Sequence, residues 1–266
     1  MENQSEYDRL SHIQTMKIFA ALKLWYKGKV CGDEPAQHYF AEKLSQFAYP
    51  KYRFSEFGRL YLEDKEFLEY YHRFEGMHHY RSFDRKHTVN ELMKLVKAVP
   101  GDTVECGVYR GATSYLICKN CIGTGKTHHV FDSFEGLSIP NDRDGTYWKP
   151  GSLSAPEDIV KRNLAEFEFV RYYKGWIPTR FTEISDRRFS FIHIDVDLHQ
   201  PTLDSLNFFY SRINPGGLII IDDYGFTSCP GAKDASDTFM ADKAEPIIQL
   251  TTGQCLIFVQ GKGQPK

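Results

Sequence analysis

Hydrophobic positions recur every three or four residues through the first hundred residues of the chain. Ile13, Met16, Phe19, Ala20 and Leu24 fall on one stripe, with Lys17, Lys23 and Lys27 between them, and predict an amphipathic helix. A second helix is predicted after Glu34-Pro35. Residues 58–98 read as helical through Leu60, Phe67 and Tyr71, then Leu92, Leu95 and Val96. The pattern changes near Pro100, where short apolar runs begin to alternate with helical ones. Strands are predicted at Thr103–Cys106, His129–Phe131, Val170–Lys174, Phe189–Ile194 and Leu218–Ile221. Helices are predicted over Thr113–Cys121 and from Pro201, a proline suited to a first helical position, until Asn214-Pro215-Gly216-Gly217 stops the second one. Ile247–Leu250 and Cys255–Val259, either side of Thr251-Thr252-Gly253-Gln254, predict a closing antiparallel hairpin.

This alternation predicts an α/β fold with a mostly parallel, doubly wound, seven-stranded sheet over residues 99–266, preceded by a helical region over residues 1–98. Composition narrows the function. Thirty-three Lys and Arg against 35 Asp and Glu give a net charge of −2, which argues against nucleic acid as a partner. The most apolar run, Leu218–Ile221, is far too short to span a bilayer, and Met1–Glu6 is not a basic and then apolar leader; a cytoplasmic protein without membrane contact is expected. Sixteen Tyr and 20 Phe suggest a pocket or an oligomer interface besides an aromatic core. Six scattered Cys read as free buried thiols, and the Cys118-x-x-Cys121 pair, with no second pair, as structural ahead of zinc or redox chemistry.

In a doubly wound sheet, ligands bind where strands end at their carboxyl side. The first such end carries Glu105, Gly107 and Gly111. This is E-x-G-x-x-x-G and not the dinucleotide fingerprint, and its carboxylate suits a cationic ligand better than a pyrophosphate. The second carries Asp132-Ser133-Phe134; an acidic residue there can take both ribose hydroxyls of an adenosine, with helix capping the competing use. The fourth and fifth carry Asp195, Asp197 and His199, then Asp222 and Asp223. Carboxylates gathered so closely repel unless a cation or proton intervenes, and hard oxygen ligands suit Mg²⁺.

Val104–Gly111, Phe131–Leu137, His193–Leu198, Pro215–Tyr224 and Pro230-Gly231-Ala232-Lys233 together resemble the macrocin O-methyltransferase family of class I S-adenosylmethionine enzymes, which methylate hydroxyls of sugars in natural-product pathways with a bound divalent metal. The resemblance implies a Rossmann-like fold. It implies that Glu105, Gly107, Tyr109, Gly111 and Ser114 lie at the methionine end of the cofactor. Asp132, Ser133 and Phe134 would lie at its ribose, Gly175 and Trp176 near its adenine, and Asp195 beside it. Asp195, Asp222 and Asp223 would ligate Mg²⁺. Asp197 would be the general base, ahead of the competing His199. The N-terminal helices would form a lid and the contact of a homodimer or higher homo-oligomer, and the acceptor would be a small hydroxylated molecule, a sugar or polyol. A nicotinamide-dependent oxidoreductase shares the sheet but leaves Asp222-Asp223 unexplained; a methyltransferase-like scaffold without chemistry would have no use for every carboxylate. Arg180, in the loop after the third strand, reads as half of a surface ion pair ahead of a contact to an anionic acceptor.

Overall fold

The structure, a computed structural model, describes residues 19–49, 60–75 and 82–260. Ile13 and Met16 of the first predicted helix lie outside them. The chain divides into two compact units at Lys65/Glu66. In the first, α1 (residues 19–29) and α2 (Glu34–Ala48) are helical. Asp33 caps α2 by accepting the Ala36 N–H at 3.1 Å, and Gln37 donates to the Gly28 carbonyl at 2.9 Å.

The second unit holds the sheet. Its helices α3 (Lys65–Glu75) and α4 (Phe83–Val96) come from the stretch expected to be helical. Both pack with the sheet-bearing unit: Phe67, Tyr70 and Phe74 bury against Ala112 and Leu116, and Val89, Met93 and Val96 bury against Ile117, Phe191, Leu218 and Ile220. There follow β1 (Asp102–Cys106), α5 (Ala112–Cys121), β2 (His128–Asp132), α6 (Glu157–Asn163), β3 (Val170–Lys174) and β4 (Phe189–Ile194). The chain continues through α7 (His199–Phe209), β5 (Ile213–Ile221), α8 (Pro230–Met240), β6 (Ile248–Gln249) and β7 (Cys255–Phe258). The strand order is β3-β2-β1-β4-β5-β7-β6, parallel through β5, with β7 antiparallel to both β5 and β6. All six residues of β4, at the centre, are buried, as a strand covered on both faces requires.

Two details depart from the sequence pattern. Asn214-Pro215-Gly216-Gly217 does not break secondary structure; β5 runs through it, because Gly216 donates to the Val259 carbonyl at 2.8 Å and Val259 donates back to Gly217 at 3.0 Å. The β4–β5 register shifts at this point, as a bulge absorbs the irregular residues. Pro201 stands at the third helical position and not the first, since α7 begins at His199; an N–H in the first turn has no helical acceptor, so proline costs little there.

Candidate active site

The carboxyl ends of β1, β2 and β4 open on a cavity of about 290 Å³ lined by residues from Ser82 to Pro201, at the lower end of small-ligand sites. Among the described residues, three of the four non-glycine ones with left-handed backbone, Tyr109, Phe134 and Asp197, follow these strand ends. Gly107 has φ +78°, and a Cβ placed on it would lie 1.9 Å from the Asp195 carbonyl oxygen. The β1 turn and the β4 end therefore touch through bare backbone.

Asp132 organises the β1–β2 side. Its Oδ2 accepts the Val108 N–H at 2.7 Å and the Tyr109 N–H at 3.3 Å, and its Oδ1 accepts the Phe134 N–H at 2.6 Å. Gly175 donates to the Asp132 carbonyl at 2.9 Å, tying the β3 end to the same turn. Ser133 donates to the Gly136 carbonyl and accepts from the Glu135 N–H, so it shapes its own turn. Gly107, Tyr109, Asp132, Ser133, Trp176 and Asp195 line the cavity. Gly111 precedes α5, and Phe134 is buried beneath it in the cluster with Val108, Val160 and Leu164.

Glu105 and Ser114 sit behind the cavity wall. Both are buried, and they belong to a hydrogen-bonded chain through the sheet. Thr103 Oγ1 meets His128 Nδ1 at 2.9 Å, His128 Nε2 meets Ser114 Oγ at 3.0 Å, and Ser114 donates to Glu105 Oε2. Glu105 Oε1 meets His193 Nδ1 at 3.0 Å, and His193 Nε2 meets Asp222 Oδ1 at 3.2 Å. Burial alone would pull the His193 pKa down. Its bonds to Asp222 and Glu105 outweigh this and raise it to about 9, so the imidazolium is held between two carboxylates.

The acidic side is arranged differently. Asp195, Asp222 and Asp223 each bring a carboxylate oxygen within 4.8 Å of the others. Asp222 is fully tied to protein: His193 and Gln254, the latter at 2.6 Å, hold Oδ1, and Arg85 holds Oδ2. Burial opposes its charge, but Arg85 and His193 win and hold its pKa well below the carboxylate range. Burial and then mutual repulsion raise the other three: Asp195 to about 6, Asp197 to about 7, and Asp223 well above its ordinary value. Asp223 Oδ2 accepts the Asp197 N–H at 2.9 Å, and Cys229 Sγ approaches Asp197 Oδ1 at 3.4 Å. Among the described residues, no side chain or backbone N–H hydrogen-bonds the Asp195 carboxylate. An all-oxygen donor set with one unpartnered carboxylate and one half-partnered fits a hard divalent cation.

His199 is placed elsewhere. Its Nε2 accepts from Arg143 at 3.1 Å, its backbone N–H donates to Asp144 at 2.6 Å, and it does not line the cavity, whereas Asp197 does. Arg180 pairs with Glu183, Nη2 to Oε2 at 2.9 Å, in an exposed ion pair. Cys118 and Cys121 are buried in α5, and burial pushes the Cys121 thiol up to about 11.

The macrocin-O-methyltransferase (TylF) family profile matches residues 78–252. The chain belongs to this family. It is 34% identical over 152 residues to 8-demethyl-8-(2,3-dimethoxy-alpha-L-rhamnosyl)-tetracenomycin-C 4'-O-methyltransferase of Streptomyces olivaceus, a match covering 52% of this chain and 58% of that protein. It is 32% identical over 168 residues to demethyldecarbamoylnovobiocin O-methyltransferase of Streptomyces niveus, covering 57% and 63%. The chain thus spans about three fifths of the length of these relatives. Among solved structures, the O-methyltransferase NovP is similar with a TM-score of 0.55 at 26% identity, covering 67% of this chain and 81% of that one. The calicheamicin methyltransferase CalS11, at 15% identity, shares the fold, with a TM-score of 0.59 over 78% of this chain and 99% of that one.

The family match begins before the sheet and includes α4, which brings the site residues the sequence pattern does not single out. Arg85 reaches Asp222, and Lys86, buried, donates to Thr113 Oγ1. Gln254 comes from the β6–β7 turn. The available signal for Arg85-Lys86 is electrostatic: an acidic cluster calls for counter-charge, and these adjacent cations open an amphipathic helix.

Proposed function

We propose that this chain is an S-adenosylmethionine- and Mg²⁺-dependent O-methyltransferase acting on a hydroxyl of a sugar or polyol moiety of a natural product. The observation that carries the proposal is the convergence of Asp195, Asp222 and Asp223, with Asp197 beside them, next to a cavity whose other wall is the β1–β2 turn pair. The rhamnosyl group in the name of one relative supports a sugar hydroxyl as acceptor.

Asp132 lines the cavity where a ribose would lie, with Ser133 and Phe134 shaping its turn and Gly175-Trp176 on the adenine side. Gly107 and Tyr109 line the wall where the methionine end would lie, Gly111 turns the chain from there into α5, and Glu105 and Ser114 support that wall from behind. The carboxylates of Asp132 and Asp195 give this cavity a field that favours a sulfonium. Asp195, Asp222 and Asp223 would hold Mg²⁺, which when bound lowers the pKa of an alcohol oxygen. Asp197 takes the hydroxyl proton on its carboxylate. It lines the cavity beside the metal-holding carboxylates, in reach of a bound hydroxyl, and would release the proton to water afterwards. His199, engaged by Arg143, is the lesser candidate for this role. The N-terminal helices leave Trp25, Tyr26, Tyr39 and Phe47 exposed, which supports their use as a lid and homo-oligomer contact.

The test compares methyl transfer from S-adenosylmethionine to a sugar with a vicinal diol and to its monodeoxy analogue, each with and without chelator. The diol should turn over, lose turnover on chelation and regain it with Mg²⁺, while the monodeoxy sugar should be slow throughout. Equal rates under all four conditions would remove the metal from the chemistry. Saturable binding of NAD in place of S-adenosylmethionine would overturn the assignment as a methyltransferase.

A further inference from the structure

Asp222 divides its two oxygens between different tasks. Oδ1 is anchored by His193 and Gln254, both essentially without solvent contact. Oδ2 is the oxygen left to face a cation, and it is held by the Arg85 guanidinium. Arg85 also lies 4.9 Å over the Phe226 ring, and its side chain is 27% exposed at the cavity wall. Its neighbour Lys86 is the opposite case, buried and bonded to Thr113. An arginine with a long, partly exposed stem and an aromatic seat can leave a carboxylate without any change of backbone; a buried lysine cannot.

We propose that Arg85 is a built-in competitor of the divalent cation: its guanidinium neutralises Asp222 in the metal-free chain and must leave Oδ2 before the cation can take it. This rests on Asp195, Asp222 and Asp223 forming the metal site. Arg85 then sets the affinity of that site. The metal-free cluster keeps a counter-charge and so stays folded, at the cost of weaker metal binding. Because Arg85 also lines the cavity, its departure from Asp222 changes the charge presented to the ligand there, so metal loading and ligand binding are linked through one side chain.

The experiment measures Mn²⁺ affinity of the full chain by calorimetry and by the electron-spin resonance of free Mn²⁺, without substrate. Arg85→Gln should bind Mn²⁺ about tenfold more tightly than the parent chain, a difference worth about 1.4 kcal/mol. Arg85→Lys, which keeps the charge, should stay near the parent. Without metal, Arg85→Gln should melt at a lower temperature than the parent, and Mn²⁺ should raise its melting temperature by more. A group serving structure alone would lower the melting temperature without tightening the metal. Should Arg85→Gln fold poorly, Phe226→Leu removes the aromatic seat and should tighten Mn²⁺ by a smaller factor. Equal or weaker Mn²⁺ binding in both variants would overturn the competitor role while leaving the metal site standing. No Mn²⁺ binding by any chain, parent included, would overturn the metal site itself and this inference with it.

Discussion

The two halves of the cavity solve the burial of acidic groups in opposite ways. On the β1–β2 side, Asp132 is surrounded by three backbone N–H donors and needs no counter-ion; its turns are organised before any ligand arrives. On the β4–β5 side, four carboxylates face one another, and one, Asp222, has the buried His193 and the Arg85 guanidinium as counter-charge. The other three have their pKa values raised and hold charge reluctantly. The first half is a finished surface, and the second waits for positive charge. Under the proposed function this contrast would separate recognition of a donor molecule from chemistry at an acceptor, and each side can be perturbed on its own.

The largest effect should come where the halves touch. Gly107→Ala places a Cβ 1.9 Å from the Asp195 carbonyl and forces a side chain onto φ +78°. Overpacking against backbone plus left-handed strain should cost roughly 4 kcal/mol, seen as a lower urea midpoint. A loss below about 1 kcal/mol would mean that the two strand ends are free to part. Next comes Asp222→Ala, which strands His193, Gln254 and Arg85 around a missing anion. Removing one member of a buried charged network should destabilise the chain by about 3 kcal/mol and abolish Mn²⁺ binding. Unchanged stability would show that the acidic half does not depend on this network.

How far the sequence carries this contrast differs between the halves. Strands β3 and β4 match their predicted bounds, and β1 and β2 agree to within one residue at each end, because short runs rich in β-branched and aromatic residues are bounded by turn-forming and helical stretches. The acidic residues at strand ends are legible because the carboxyl ends of parallel strands are where such a sheet opens to a ligand. What is not legible is which partner each carboxylate meets. Glu105 looks like a ligand contact in the linear motif, yet its partners, Ser114 and His193, are 9 and 88 residues away. Arg85 lies 137 residues from Asp222, on a helix whose pattern speaks of packing. Long-range pairing leaves no periodicity to detect. The β5 start was hidden for a local reason, since Pro215-Gly216-Gly217 has the composition of a turn and is held extended by Val259.

A third perturbation sharpens the contrast through pH. Burial and the Asp195 charge raise the Asp197 pKa to about 7, above its ordinary 3.8. Between those values the folded chain holds a proton that the unfolded chain has lost. The stability this gives is complete below about pH 4 and disappears as pH rises through 7. Asp197→Asn cannot ionise, so without metal it should match the parent near pH 4 and exceed it by roughly 2 kcal/mol at pH 8, allowing for shared titration among the cluster. The same variant should keep Mn²⁺ binding and lose about a hundredfold or more in turnover. Equal stability at pH 8 would mean that Asp197 is not strained by its neighbours. A fully active Asp197→Asn with an inactive His199→Ala would transfer the base to His199.

The smallest effect is expected from Asp132→Asn, on the finished side. Asparagine keeps the volume and one acceptor oxygen but turns an amide N–H₂ toward one set of backbone donors, those of Val108 and Tyr109 or that of Phe134. A neutral acceptor also bonds those N–H groups less strongly than a carboxylate. Because burial already taxes the charged form of Asp132, losing that charge returns part of what the weakened bonds give up. The net cost should be about 1 kcal/mol, read as a small shift in the urea midpoint. S-adenosylhomocysteine should bind several-fold more weakly, since a ribose would meet one acceptor oxygen where it had two, while Mn²⁺ affinity should not move. Were Asp132→Asn to alter Mn²⁺ affinity as much as Asp222→Ala does, the two halves would be one electrostatic unit, and the division between a finished surface and a waiting one would fail.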